Sequence, residues 1–141
     1  MRAVSAGYSG TPLPRKLGIK PDSRLALVGA PEGFEQTLGE LPPGVAVRRR
    51  TQGPCEVIVA FFERGAELER RLPTLKRALH YAGGLWIAWP KRASGMATDL
   101  GEAPVRAAGL AIGLVDNKVC AIDETWSGLR FVYRLRDRPA G

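Results

Sequence analysis

Four short stretches of this chain concentrate residue types that do chemistry. Asp123, Glu124, Trp126 and Ser127 stand together in DETWSG. Two carboxylates beside an indole suit a cationic or aromatic ligand, or a general base. The same residues suit a plain turn, with Asp123 and Ser127 bonding backbone amides and Trp126 packing on a neighbouring loop. Lys91, Arg92 and Ser94 follow the run LWIAWP and precede a helix start. That arrangement favours an anion, or forms a solvated loop. Gly29, Glu32 and Gly33 make the loop after LALV. Two glycines with three residues between them are neither G-x-G-x-x-G nor a P-loop, because no Gly-Lys-Ser/Thr follows. Trp86 and Trp89 read as core, with Trp89, beside Pro90, the better placed to line a pocket. His80 reads as a residue at a helix end, favoured there by the dipole. There is no G-x-S-x-G, H-E-x-x-H or paired-acid motif.

Composition narrows the classes. The chain has 141 residues, one domain's worth. Cys55 and Cys120 lie 65 residues apart with a single histidine, so a four-ligand zinc set is not available and no metal site is expected. Each cysteine sits in an apolar run and reads as a reduced core thiol, as in a reducing cytoplasm. The first ten residues carry no secretory signal pattern. No apolar run approaches the ~20 residues that cross a bilayer, so no membrane association is expected.

Net charge is +7, and arginine supplies 16 of the 21 basic residues. A basic domain suggests an anionic partner, although Arg-heavy composition also follows from a GC-rich genome. The charge gathers at Arg48, Arg49 and Arg50, and at Arg130, Arg134, Arg136 and Arg138. Aromatics lie inside apolar runs, with no basic–aromatic face on which bases could stack. Nucleic acid is therefore not the favoured partner.

The elements that must hold these residues alternate in type. Residues 1–23 form an irregular arm, with one short helical turn after Thr11-Pro12, and residues 24–138 form the domain. Strands are expected at 25–29, 45–48, 57–62, 85–89 and 119–122. A short helix is expected over 34–41. A longer one carries Leu68, Leu72, Leu75 and Leu79 at spacings of four, three and four. Pro73 should kink that helix without breaking it, and Gly83-Gly84 should stop it. Thr98 or Asp99 should cap a third helix running to about Gly113. Leu129, Phe131, Tyr133 and Leu135 alternate with Arg130, Val132, Arg134 and Arg136. Such a pattern predicts a half-exposed strand at the sheet edge.

Alternation of strand and helix predicts an α/β fold, a three-layer Rossmann-like sandwich whose mostly parallel sheet ends in an antiparallel C-terminal edge hairpin. Ligands in such sheets bind beyond the carboxyl ends of the strands. Segments 29–34, 63–64, 90–95 and 123–128 should share that rim.

The order strand, loop, helix, strand, strand, kinked helix, Gly-Gly, strand, helix, terminal hairpin resembles a shortened S-adenosylmethionine-dependent methyltransferase fold over residues 24–136. The chain also resembles a bacterial family catalogued as a domain of unknown function, through GYSGTPL at 7–13, KLGI at 16–19, LVGAPEGF at 27–34, AELERRLP at 66–73, GGLW at 83–86, WPKRASG at 89–95 and VCAIDETWSGLRFV at 119–132. That family brings no activity with it. Methyltransferases have a Gly-rich first loop and an acid at the end of the second strand for ribose hydroxyls. Here the loop is Gly29-Ala30-Pro31-Glu32-Gly33, and Arg48-Arg49-Arg50 stands where the acid would be, a substitution that would suit the 2′-phosphate of NADP. These departures lead to the expectation of a non-catalytic module binding a small anionic ligand or a protein partner on the rim, with cofactor unknown. The alternatives are an S-adenosylmethionine-dependent methyltransferase or nucleotide-dependent enzyme with an atypical cofactor loop, and a nucleic-acid binder using the two arginine groups.

Overall fold

The computed structural model describes residues 10–139. The expected features on residues 1–9, including the start of GYSGTPL, lie outside the described residues. The apolar runs become six strands of one sheet: β1 (Arg24–Val28), β2 (Ala46–Arg48), β3 (Cys55–Phe61), β4 (Leu79–Pro90), β5 (Leu114–Ala121) and β6 (Trp126–Tyr133). Their order across the sheet is β2-β1-β3-β4-β6-β5. β2, β1, β3 and β4 pair in parallel, and β6 runs antiparallel to both β4 and β5.

Period-two alternation sorts side chains of the central strands onto two covered faces. On one face Ile58, Ala60, Leu85 and Ile87 meet α3 (Gly65–Ala78) and α4 (Glu102–Ala111). On the other, Val57, Val59, Phe61, Trp86 and Ala88 meet Leu17, Phe34 and Leu38, from the segments of α1 (Leu13–Lys16) and α2 (Phe34–Leu38). The result is the three-layer α/β sandwich with an antiparallel terminal hairpin. Residues 10–23 are part of the packing: Leu17 and Ile19 are buried, and the Trp86 indole N–H donates to the Leu17 carbonyl at 3.0 Å.

Several local readings are corrected. α3 ends at Ala78, and Gly83-Gly84 lies inside β4. These glycines serve close approach, since a Cβ on Gly83 would stand 2.4 Å from the Glu56 carbonyl oxygen and one on Gly84 would stand 2.3 Å from Arg130 Nε. His80 is therefore a strand residue whose Nδ1 accepts the Ala82 N–H. α3 runs through Pro73, with Leu68, Leu72 and Leu75 buried on one side. Asp99 does not cap its own helix: α4 starts at Glu102, and Asp99 Oδ1 accepts the first N–H of α3, from Gly65, at 2.8 Å. β6 is not the edge strand, because it is inserted between β4 and β5, leaving β5 at the edge. β6 ends at Tyr133, so Arg134, Leu135 and Arg136 fall outside the strand, and Arg130 within it is half-buried.

Two predictions follow from the packing. Gly109 of α4 faces the buried Phe131 ring, and a Cβ there would stand 2.1 Å from it. Alanine improves helix propensity by about 1 kcal/mol, but overpacking a closed site costs about 1–3 kcal/mol. Gly109→Ala should lower unfolding free energy in a denaturant titration. Near the amino ends of the strands, the Arg24 amide and Nε donate to Glu56 Oε1 at 2.7 and 3.1 Å. These bonds hold the Glu56 carboxyl down at about 2 against an ordinary 4.5. A depressed carboxylate contributes stability above its unfolded value and loses it as pH falls toward the folded value. Between pH 4.5 and 2 the native chain should therefore lose more stability than Glu56→Gln does, read by thermal unfolding across that window.

Candidate functional site

The sheet reverses its direction of growth at β1. From β1 the chain passes through α2 to β2 on one side, and β3 then returns to the other side. Such a switch leaves a crevice beyond the carboxyl ends of the two flanking strands, since their connections leave in opposite directions. Here the flanking ends are Val28-Gly29 and Phe61-Phe62. A cleft of about 310 Å³ opens there, lined by Gly29, Pro31, Phe61, Phe62, Glu63, Arg64, Glu67 and Trp126.

Each wall has a local cause. Gly29 takes φ +67, and a Cβ on it would stand 3.1 Å from the Phe61 carbonyl oxygen. Only glycine lets β1 turn away this close to the neighbouring backbone without strain. Pro31 begins a turn in which its carbonyl accepts the Phe34 N–H at 3.1 Å. Phe34, Phe61 and Trp126 stack edge to face, with centroids 4.9 and 5.1 Å apart, and build the aromatic base. On the opposite wall Thr98 donates to the Glu63 carbonyl at 2.6 Å while Asp99 caps Gly65. The loop before α4 thus clamps the β3–α3 turn and sets Glu63, Arg64 and Glu67 at the mouth, where all three are exposed.

The hairpin turn reaches the same rim. Asp123 Oδ1 accepts the Thr125 and Trp126 amides, both at 2.8 Å, and the Lys91 amide donates to the Thr125 carbonyl at 2.7 Å. Asp123 and Glu124 line a second cavity of about 460 Å³ with Thr11, Lys16 and Thr37. Of the residues singled out in the sequence, Gly29 and Trp126 meet in the cleft, and Asp123 and Glu124 lie at its neighbour. Glu32 and Gly33 are exposed on the first loop and do not line the cleft. Trp89 packs in the core on the α3 face instead of lining a pocket. Lys91, Arg92 and Ser94 stand well before the helix start: residues 92–94 are a single 3₁₀ turn closed by Gly95 at φ +78, and α4 begins only at Glu102. Ser94 Oγ is occupied locally, donating to the Lys91 carbonyl and accepting the Met96 amide.

The arginine run begins at the carboxyl end of β2. β2 stops at Arg48, level with Ala26 and two residues short of the end of β1. The chain then turns back, with Arg48 donating to the Gln52 carbonyl at 2.7 Å. Burial pushes the nearby Cys55 thiol up, and the Arg48 charge offsets only part of that rise. A carboxylate from α2 meets the run: Glu35 is salt-bridged to Arg49. Glu63 falls in segment 63–64, which the sequence places on the rim, whereas Phe61, Glu67 and Glu35 were not among the residues singled out. The signal available for Glu63 was its position directly after the most apolar strand.

No family model matches the chain, and no curated protein matches it. Solved structures do match. A Sulfolobus solfataricus protein assigned to the type 11 methyltransferases superimposes with a TM-score of 0.62 at 12% identity, over 91% of this chain and 93% of that one. The ribosomal protein L11 methylase of Lactobacillus delbrueckii gives 0.57 at 13% identity, over 86% and 75%. A SAM-dependent methyltransferase of Aquifex aeolicus gives 0.55 at 16%, over 83% and 85%. At such identities the likeness establishes the fold, which is that of S-adenosylmethionine-dependent methyltransferases. It overturns the expectation of a non-catalytic binding module, because the structural kin are enzymes, and it favours the methyltransferase alternative.

The turn that closes the rim can be tested directly. Asp123→Ala leaves two part-buried amides without an acceptor and should cost about 1–3 kcal/mol in chemical denaturation. Asp123→Asn keeps the acceptor oxygen and should stay within about 0.5 kcal/mol of the native chain, the range of an uneventful surface change.

Proposed function

We propose that this chain is an S-adenosylmethionine-binding, methyltransferase-like domain with an atypical cofactor loop, and that the cleft between the ends of β1 and β3 is its cofactor site. One observation carries the reading: the strand-order switch at β1 opens on Gly29, held in a left-handed conformation at the rim. The residues present suit a cationic nucleoside cofactor. Gly29 keeps the rim free of a side chain, Glu63 and Glu67 offer negative charge to a sulfonium and an ammonium group, and Phe61 with Trp126 supplies an aromatic surface that attracts a cation. When bound, the cofactor would supply an electrophilic methyl group. The chain's own work is to bind, orient and screen from water.

The loop is atypical in two respects. Pro31 withdraws one backbone donor from it, and β2 is followed by arginines where a ribose-facing acid would stand, with Arg49 paired to Glu35. These features predict weaker binding than a complete Gly-rich loop gives. No helix among the described residues is long and apolar enough to cross a membrane, and the unpaired thiols Cys55 and Cys120 suit a reducing compartment.

Calorimetric titration with S-adenosylmethionine and its demethylated product tests the reading. Both should bind, and a concentration of 100 times the dissociation constant should add about 2.7 kcal/mol of stability. Gly29→Ala should weaken both by tenfold or more through crowding at the Phe61 carbonyl. Glu63→Gln with Glu67→Gln, at exposed positions that do not threaten folding, should weaken the sulfonium form more than the neutral thioether product. Absence of binding by either ligand would sink the proposal.

A further inference from the structure

Away from the rim, on the α1 face of the sheet, lies a concentration of positive charge that the cofactor cleft does not use. A pocket of about 230 Å³ is lined by Arg15, Lys16, Gly18, Asn117, Lys118 and Arg130, with four cations and no carboxylate among them. Lys118 and Arg130 are direct cross-strand partners in the β5–β6 ladder. Like charges placed opposite one another destabilise a sheet unless something neutralises them. Arg130 is half-buried, and its guanidinium donates to the neutral Asn117 Oδ1 at 3.4 Å.

The backbone is shaped to hold this arrangement. The register slips between Asp116 and Lys118, leaving Asn117 as the extra residue of a bulge. Bulges re-aim side chains and gather next to sites. Gly84 gives up its Cβ so that the Arg130 guanidinium can lie over the backbone of β4, within 2.3 Å of where that Cβ would be. Burial pulls the Arg130 guanidinium below its ordinary value, with the Arg138 charge acting in the same direction. Arg130 also lines the adjoining depression toward Ser23 and Gly83, which contains Asp22 and Glu56. Glu56 is committed to Arg24 through both of its oxygens.

We propose that this pocket binds a phosphate group, with Arg15, Lys118 and Arg130 as its charged contacts and Asn117 orienting Arg130. Guanidinium donors match phosphate oxygens two at a time. An incoming dianion would turn the opposed Lys118 and Arg130 from a repulsive pair into a chelating one. Lys118 and Arg130 are level with Trp86, four residues before the Pro90 end of β4. The pocket therefore lies roughly 13 Å along the strands from the rim, at ~3.3 Å per residue. The site is independent of the cofactor reading and stands or falls separately from it. The phosphate can belong to a free phosphorylated small molecule or to a nucleic-acid strand.

The test has two arms. In one, thermal unfolding is followed at constant ionic strength while chloride is replaced by pyrophosphate. In the other, a single-stranded RNA of about ten nucleotides, within the usual span of such sites, is titrated by fluorescence anisotropy at several salt concentrations. Pyrophosphate should raise the midpoint, and Arg130→Gln should weaken binding about tenfold, the loss of one charge-assisted bond. Arg15→Gln, at an exposed position, should weaken it without touching the fold and covers the case in which Arg130→Gln fails to fold. If the RNA binds, the slope of log affinity against log salt should fall by about 0.7 for each cation removed. Pyrophosphate binding alone identifies a small phosphorylated ligand, and tighter RNA binding with those slopes identifies a strand. No binding in either arm, or binding unchanged by both substitutions, would overturn the proposal.

Discussion

Burial of β3 and β4 on both faces is the constraint on which the rest of this structure depends. Ile58, Val59, Ala60, Leu85, Trp86, Ile87 and Ala88 are all wholly buried. Strands of this kind need a layer of helix on each side and leave no room for polar chemistry along their length. Polar groups that act on a ligand are pushed to the strand ends. The two candidate regions differ in how they meet that constraint. The rim cleft lies beyond the sheet, where Gly29 and the β3–α3 turn leave the ladder. The Arg130 pocket lies on the sheet itself and exists only because Gly84 and a bulge at Asn117 make space for a guanidinium there.

A single buried bond holds the segment that lies between the Arg130 pocket and the cavity beside Asp123 and Glu124. The Trp86 indole, in the middle of β4, holds the Leu17 carbonyl and so fixes the segment that follows α1 over the sheet. An indole N–H left without a partner at this depth would be costly, so the bond constrains the segment in place. Lys16 reaches from there to the Ala121 carbonyl, and Lys118 reaches back to the Lys16 carbonyl. The residues before β1 therefore cover one wall of the core and supply cations to the pocket beside Arg130. On the other side of the same segment, Thr11, Leu13 and Lys16 wall the cavity beneath Asp123 and Glu124.

What was legible in the sequence was whatever a short window decides. The runs LALV, VIVAFF and LWIAW, and the leucine spacing from Leu68 to Leu75, mark strands and a helix without reference to anything distant. They sufficed for the three-layer α/β architecture and for a rim at the strand ends. What failed depended on partners far away in the chain. Gly83-Gly84 reads locally as a helix stop, yet its cause is Glu56 on one side and Arg130 on the other. Asp99 reads as the cap of the helix that follows, yet it caps one 34 residues earlier in the chain. Of the proposed site residues, Gly29 and Trp126 were visible by type and position. Glu63 was placed on the rim by its position after the most apolar strand, whereas Glu67 was hidden because an exposed glutamate near a helix start has an ordinary local explanation in the helix dipole.

The arginines show most clearly why charge read along a chain misleads. Arg48, Arg49 and Arg50 look like the strongest anion site because they are consecutive. Folding dissolves that group: Arg48 bonds a turn carbonyl, and Arg49 pairs with Glu35. Arg130 looks like one charge on the wet side of an edge strand. Insertion of β6 between β4 and β5 places it beneath another segment and opposite Lys118, with Arg15 brought in from 115 residues away. Local density of charge costs little in solvent and needs no partner. Charge convergent on a half-buried point lacks that screening, and a pocket whose described lining holds four cations and no carboxylate is one that an anion from outside the chain would balance.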